Sequence, residues 1–389
     1  MRILVCHSRY RSGPASGENR VVDDEIRLLL GAGHQVIRFT PSPEVFTAAE
    51  LVKIGVGMIW NRRVLAKLRV LIDAQRPEIV HFHNIFPLLS PASLRLAGGV
   101  TPGVVMTLHN YRLLCLPGTF VRDGAICELC LGRAPWQGVR YQCYQGSLLA
   151  SATLATSLSV HRALGTFDRV DRFIAVSRFV KEKHVAAGLL ADRIVVKPHF
   201  VWPNELREGS GRYFLYLGRL SEEKGVDILL RAWDRLLGRL IIAGVGPDEM
   251  SLRANAGADV EFVGSVSPRK AAELVRGATG VVVPSIGQEG AGRVVLEAYA
   301  AGVPVVATNI GGLSEVVVHG TSGLLVDPSD EMALSDAIGR LSDPPENRRL
   351  GKGAYRLWRE RYSPERALGH LETAYEQALH HRQTRSDRG

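Results

Sequence analysis

The chain lacks any long apolar run: no stretch of its 389 residues approaches the roughly 18 consecutive apolar residues that a membrane-spanning helix needs. The opening Met1-Arg2-Ile3-Leu4-Val5-Cys6 reads as a strand, without the charged leader, long apolar segment and small-residue cleavage site of a signal peptide. A cytoplasmic protein is therefore expected. There is no Lys/Arg block and no basic run interleaved with aromatics, so the footprint of a single-strand-binding protein is missing and nucleic acid is not an expected partner. With five cysteines and no export signal, a disulfide framework is disfavoured. Charge is not in such excess as to keep the chain unfolded, because 46% hydrophobic and 22% charged residues are ordinary for a globular protein.

What is present points to two domains, the usual partition of a chain this long. Forty glycines without a Gly-X-Y period imply many tight turns and close backbone approaches. Lys and Arg outnumber Asp and Glu by 48 to 39, a net +9 that favours anionic partners such as phosphorylated metabolites or the inner face of a membrane, contacted peripherally. The most apolar segment, Ser147 to Val160, carries four serines and two threonines and reads as a buried helix.

Periodicity alternates between short strands and helices. The first series has strands at Arg2–Cys6, Gln35–Phe39, Glu78–Phe82, Val104–Leu108, Phe173–Val176 and Ile194–Lys197, with helices such as Glu18–Leu30 and Asn61–Gln75. Periodicity lapses from Pro198 to Gly211. A second series then runs through Tyr213–Leu217, Arg239–Ala243, Val260–Val263, Gly280–Pro284, Pro304–Ala307 and Gly323–Val326. Buried strands alternating with helices give parallel sheets, so the expected fold is α/β, with two doubly wound Rossmann-like domains facing across a cleft. The expected divisions are 1–200, with a Cys-rich insertion at 111–146, then 201–362, a C-terminal helix at 363–380, and a flexible basic tail at 381–389.

Chemistry concentrates in the second half. Val281 to Val318 reads as strand, loop, helix from Gly292, strand, and a Gly311-Gly312 turn into another helix. Glu289 falls in the loop before the helix and Glu297 about one and a half turns inside it. The amides of Gly290, Ala291 and Gly292 lie at the helix start, where unpaired N–H groups and the positive dipole end favour phosphate or hydroxyl oxygens. A carboxylate such as Glu297 suits a ribose diol. Arg219 and Lys224 flank an earlier strand-to-helix connection, two cations where a diphosphate would sit.

Arg219-x4-Lys224-Gly225, Glu289-x7-Glu297 and Gly311-Gly312-Leu313-Ser314-Glu315 together resemble the donor-binding half of glycosyltransferase family 4, a retaining group with the GT-B architecture. The resemblance extends to Ile79-Val80-His81-Phe82-His83-Asn84, Thr107-Leu108-His109-Asn110, Ala175-Val176-Ser177-Arg178-Phe179-Val180 and Tyr362-Ser363-Pro364-Glu365-Arg366. It implies that Arg219 and Lys224 bind a donor diphosphate, Glu289 contacts the sugar hydroxyls, Glu297 holds the ribose, and the amides near Gly290 to Gly292 complete the grip. It implies a C-terminal helix that crosses back to the first domain. His109 matches the histidine beside the transferred sugar, so His109 and Glu289 are the candidate catalytic residues. Gly13 and Gly17 fit the loop that approaches phosphate and acceptor, although Ser16-Gly17-Glu18 departs from the commoner paired-glycine form, and Ala291 stands where the family often has an aromatic residue. No Asp-x-Asp occurs, so no catalytic metal is expected.

The implied reaction transfers a sugar from a nucleoside-diphosphate sugar to a hydroxyl of a glycan, glycolipid or secondary-metabolite acceptor. A sugar-nucleotide epimerase or phosphorylase of similar fold and a non-catalytic binding protein are the alternatives. Separately, Cys115-x11-Cys127-x2-Cys130-x12-Cys143 has spacing compatible with a structural four-thiolate zinc site, reduced packed thiols being the other reading. Cys6, in a buried strand, is a small apolar side chain.

Overall fold

A computed structural model describes residues 1–10, 16–42, 55–101, 103–234 and 237–386. Gly13 and the last three residues of the expected tail lie outside the described residues. The chain forms two compact units: unit 1 is Met1–Phe120, Glu128–Lys197 and Leu368–Gly389, and unit 2 is Val121–Cys127 and Pro198–Ala367.

Unit 1 contains a six-stranded parallel sheet in the order β2-β1-β3-β4-β7-β8, built from β1 (Arg2–Cys6), β2 (Gln35–Phe39), β3 (Ile79–Phe82), β4 (Gly103–Leu108), β7 (Arg172–Ala175) and β8 (Ile194–Val196). Strands β1, β3 and β4 are rich in Val, Ile and Leu and almost wholly buried, as expected when helices cover both faces. Residues Val5 and His81 are register partners, as are His81 and Val105. The register therefore aligns the carboxyl ends of β1, β3 and β4, which open onto His7, His83 and His109.

The helix Gly17–Gly31 buries Val21, Val22, Ile26, Leu28 and Leu29 against this sheet side, a helical stripe interrupted by one charge, Glu25. Ser16 caps its start by accepting from the amide of Asn19 at 3.4 Å. The helix Pro364–Ser386 contributes Leu371, Ala374, Tyr375 and Ala378 to the same core as Ile3, Val5, Ile79 and Val105. Composition predicts fraying from residue 381, yet the helix continues to Ser386. His381 Nδ1 lies 3.3 Å from Asp171 Oδ1, and Arg382 donates to the carbonyl of Gly98.

The segment expected to be a buried helix forms Leu148–Ala163, but only one face is covered. Ser151, Leu154, Ala155, Ser157, Leu158 and His161 are buried, while Leu148 and Leu149 are exposed. Within the Cys-rich insertion, β5 (Val121–Arg122) and β6 (Ala125–Ile126) form a small antiparallel hairpin that belongs to unit 2.

Unit 2 has its own six-stranded parallel sheet, ordered β11-β10-β9-β12-β13-β14, from β9 (Phe214–Leu217), β10 (Leu240–Ala243), β11 (Val260–Gly264), β12 (Gly280–Val283), β13 (Val305–Thr308) and β14 (Gly323–Val326). The order reverses between β9 and β12. Such a topological switch point is where open α/β sheets hold ligands, outside the carboxyl ends of the strands. Close backbone approach there requires glycine: a Cβ on Gly225, whose φ is +63°, would lie 2.1 Å from the carbonyl oxygen of Pro284. The loops after β9 and β12 are thereby brought into contact.

Candidate functional site

In unit 2 the β9 and β12 loops carry the ionisable groups that the sequence singles out. The amides of Ile286 and Gly287 both donate to the carbonyl of Glu223, at 3.1 and 2.9 Å, which clamps the two loops together. Lys224 and Glu289 form an ion pair in which Lys224 Nζ donates to Glu289 Oε1. Ser285 Oγ donates to the same carboxylate oxygen at 2.9 Å, and Gly312 N–H donates to the Glu289 carbonyl at 2.7 Å. Burial alone would raise the Glu289 pKa, but Lys224 and then Ser285 outweigh it and hold the carboxyl below its usual range. Burial likewise opposes the Lys224 charge, and Glu289 more than restores it, lifting its pKa above the ordinary lysine value. Arg219 is exposed and near enough to disfavour the Lys224 charge.

Gly290, Ala291 and Gly292 lead into the helix Arg293–Ala300. Gly292 is the N-cap, with φ 56° and ψ 57°, and no side chain caps this helix start. Its early amides are therefore positioned to meet an external acceptor. Glu297 accepts from Arg293 Nε at 3.0 Å, one helical turn away. Unit 2 thus joins Lys224, Glu289 and Ser285 directly, while Glu297 is tied to Arg293. Neither Ser285 nor Arg293 was identified from sequence. Arg293 has a local signal in its i, i+4 spacing to Glu297, whereas Ser285 becomes visible only once the loop is folded.

In unit 1, His109 follows β4 and is half-buried. Its Nε2 is 2.9 Å from Nδ1 of His83, and the two rings stack with centroids 5.2 Å apart. His83 Nε2 is 3.7 Å from Glu25 Oε2, and the other carboxylate oxygen of Glu25 accepts from Lys197 Nζ at 2.6 Å. His81 bridges the Tyr375 hydroxyl at 2.9 Å and the Thr107 hydroxyl at 2.8 Å. Burial lowers the pKa of His81 to about 3 and that of His83 well below the ordinary value. Burial also depresses His109, only partly countered by Glu18 and Glu25. Glu25 stays ionised because Lys197 overcomes the penalty of burial. Gly17 opens the helix Gly17–Gly31, and a Cβ on it would meet open space.

Glu25, His81 and His83 place ligand-type atoms within 4.8 Å of one another, a potential metal cluster different from the cysteine tetrad. Its present partners fit a neutral hydrogen-bond network better. The ammonium of Lys197 already neutralises Glu25, and His81 could bind a cation only by giving up Tyr375 or Thr107. The sequence held a signal for this cluster in the buried His-x-His of β3 and in the single charge on the apolar stripe of the first helix.

None of the five cysteines is in a disulfide. Cys115 is buried, which pushes its thiol up to about 11 although the amides of Phe120, Gly118 and Thr119 donate to the sulfur. Cys127, Cys130 and Cys143 are half-buried.

Among the described residues no helix is long and apolar enough to cross a membrane. Among solved structures, the chain is similar to Anabaena Alr3699/HepE in complex with UDP and glucose (TM-score 0.66, 18% identity, 97% of this chain and 99% of that one). It is also similar to a sucrose-phosphate synthase from Thermosynechococcus elongatus (TM-score 0.70, 22% identity, 97% and 99%). These likenesses establish the fold, two doubly wound sheets of the GT-B type.

In sequence, the chain is 40% identical over 164 residues to a D-inositol 3-phosphate glycosyltransferase of Acidothermus cellulolyticus, covering 37% of this chain and 36% of that protein. It is 30% identical over 213 residues to an uncharacterized glycosyltransferase of Methanocaldococcus jannaschii, covering 53% and 60%. The match thus spans little more than a third of the first of these relatives. The family described as Glycosyltransferase Family 4 matches residues 15–205, and the one described as Glycosyl transferases group 1 matches residues 211–343. With both halves matched in order and both sheets of the expected topology, the chain belongs to glycosyltransferase family 4.

Proposed function

We propose that the protein is a retaining glycosyltransferase that moves a sugar from a nucleoside-diphosphate sugar to a hydroxyl of a glycan, glycolipid or secondary-metabolite acceptor. The carrying observation is the Lys224–Glu289–Ser285 cluster at the unit 2 switch point, adjoining the uncapped helix start at Gly292. Lys224 and Arg219 supply the positive charge that a leaving diphosphate requires, and the helix amides add donors without a metal. Glu289, ionised and half-buried, accepts hydrogen bonds from sugar hydroxyls, and Glu297 does the same for the ribose. For His109 the family resemblance implies a place beside the transferred sugar. Acceptor deprotonation falls to a phosphate oxygen of the donor itself, in keeping with the family resemblance.

A donor that binds this way will raise the melting temperature of the protein, so UDP-, GDP- and dTDP-sugars can be screened by thermal shift. With the donor found, Glu289→Ala is expected to lower transfer to acceptor by roughly 100-fold or more while the fold is kept. Unchanged transfer by that variant would remove Glu289 from the donor site. A stabilising nucleotide sugar that is epimerised, with no sugar transferred, would favour the alternative chemistry.

A further inference from the structure

The helix Leu148–Ala163 is covered on one face, and its other face is unlike that of an ordinary surface helix. The covered face is fixed within unit 1: Ser157 Oγ donates to the carbonyl of Met58 at 2.8 Å, and the His161 ring stacks on Trp60 with centroids 5.4 Å apart. The opposite face runs through Leu149, Ala152, Thr156, Val160 and Ala163, all half-buried or exposed, at helical spacing. A helix face that meets water normally carries charged side chains. This one carries none, and its first turn leaves Leu148 57% and Leu149 75% exposed.

The segment before the helix extends this surface. The short helix Trp136–Arg140 packs against Leu148–Ala163, and the turn between them is tied down where the Tyr144 amide donates to Ser151 Oγ at 2.9 Å. Trp136 is 51% exposed, and Arg133 and Arg140 are exposed beside it in sequence. The Arg140 guanidinium lies over the Tyr141 ring, 5.6 Å from its centroid. From Leu129 to Phe167 the chain has no Asp or Glu, while it has Arg133, Arg140 and Arg162. Arg162 is engaged inside the unit, donating to the carbonyls of Arg133 and Leu113, so Arg133 and Arg140 are the exposed cations of this stretch. Glu128, the acid just before it, is paired with Lys183.

We propose that this surface docks on an anionic lipid bilayer, with Trp136, Leu148 and Leu149 entering the headgroup boundary and Arg133 and Arg140 facing the phosphates. Leucine side chains gain by leaving water there, and the amphipathic ring of tryptophan suits the boundary. The long stem of arginine lies along apolar surface while its charge stays at the level of the phosphates. A second copy of the chain fits this surface less well. In a two-fold contact the same patch meets itself, which would set arginines against arginines with no carboxylate in the stretch to balance them. The inference stands on unit 1 alone and does not depend on the proposed reaction.

The test is co-sedimentation of the full chain with vesicles of phosphatidylcholine alone, and with vesicles that contain about 30% phosphatidylglycerol, at low and high salt. Binding is expected to the anionic vesicles only, and to weaken as salt screens the arginines. Leu148→Ser/Leu149→Ser keeps the charge unchanged and is expected to weaken binding by about tenfold or more. Arg133→Gln/Arg140→Gln is expected to weaken it by roughly 20-fold, at about fivefold for each cation near an anionic surface.

The net charge of +9 would by itself draw the protein to anionic vesicles, so two further variants separate that attraction from docking. Leu148→Glu/Leu149→Glu places two carboxylates in the first turn of the helix, where they complement its dipole and keep the fold. Met250→Glu/Met332→Glu adds the same charge at two exposed positions of unit 2. The first is expected to abolish sedimentation and the second to leave it within about twofold. Equal loss in the two would overturn the proposal, as would a wild-type protein that ignores anionic vesicles or binds both kinds equally. A concentration-dependent dimer in sedimentation velocity that Leu148→Ser/Leu149→Ser dissolves would overturn it too, and would assign the face to a second copy.

Discussion

Two ion pairs of the same composition, Glu25 with Lys197 in unit 1 and Glu289 with Lys224 in unit 2, sit in opposite surroundings. The first pair is 2% exposed on both sides, enclosed by a helix, the sheet end and three histidines. The second is 28% exposed at Lys224 and 18% at Glu289, on loops at a switch point. Identical charges therefore take different roles. A buried pair cannot change partners without stranding an ion, so it serves as a fixed source of field. A half-exposed pair can open, because water can cover either group once they part, which is what the proposed donor site asks of Lys224 and Glu289.

Breaking each pair sharpens the contrast. Lys197→Ala strips Glu25 of its partner in the interior, so that the carboxyl must bear an uncompensated charge or take up a proton, and is expected to destabilise unit 1 by about 3–5 kcal/mol. Hydrogen exchange measured over unit 1 and unit 2 peptides would register it, and a loss below about 1 kcal/mol would show that the burial does not matter as argued.

Acid is the next lever. Seven unit 1 histidines, at positions 7, 81, 83, 109, 161, 184 and 381, have folded-state pKa values lowered by burial. In each case the unfolded chain binds the proton first, so stability is full above the ordinary value near 6.5 and falls as the pH drops below it. His81, lowered to about 3, alone contributes a loss of about 1 kcal/mol between pH 6.5 and 5.5, and the others act in the same direction. Glu25 and Glu289, lowered instead, withdraw their contributions only at more acidic pH, below the ordinary carboxyl value. Exchange protection should therefore fall in unit 1 before unit 2 as the pH is lowered from 7 to 5. Simultaneous loss in both units would break the comparison.

The smallest effect is expected at Lys224→Ala. Its partner remains partly hydrated, so a stability change of about 1 kcal/mol or less is expected, read by denaturant melts, together with weaker nucleotide-sugar binding. A loss as large as that of Lys197→Ala would erase the distinction between the two pairs.

Much of the fold was legible along the chain because buried parallel strands are short β-branched runs, bounded by turns. The strand β1 was read at Arg2–Cys6 and forms there, and most of the others shift by one residue at an end. The helix Leu148–Ala163 was less legible, since small residues such as Ala and Ser do not reveal whether one face or all faces will be covered. In the candidate site, Lys224 and Glu289 could be singled out because each stands next to a glycine turn, and Glu297 because of its spacing from Glu289. Ser285 could not, because a serine in a loop acquires meaning only from the carboxylate it meets. His83 lies in a family motif that gives it no role of its own, and Glu25 and Lys197, 172 residues apart in sequence, carry no local signal that pairs them.

By itself, the sequence determined the alternation of strands and helices, the break after Lys197, and the family to which the two halves belong. These are local or ordered properties, carried by periodicity and by motifs whose members lie close along the chain. Only the tertiary structure decided which charges are buried together beside the histidines. Glu25 comes from a helix, Lys197 from the end of a strand, and His83 and His109 from the ends of two more. Distance and water exclusion, which no spacing encodes, turn those four residues into one electrostatic unit, where net charge and composition had pointed only to an anionic partner.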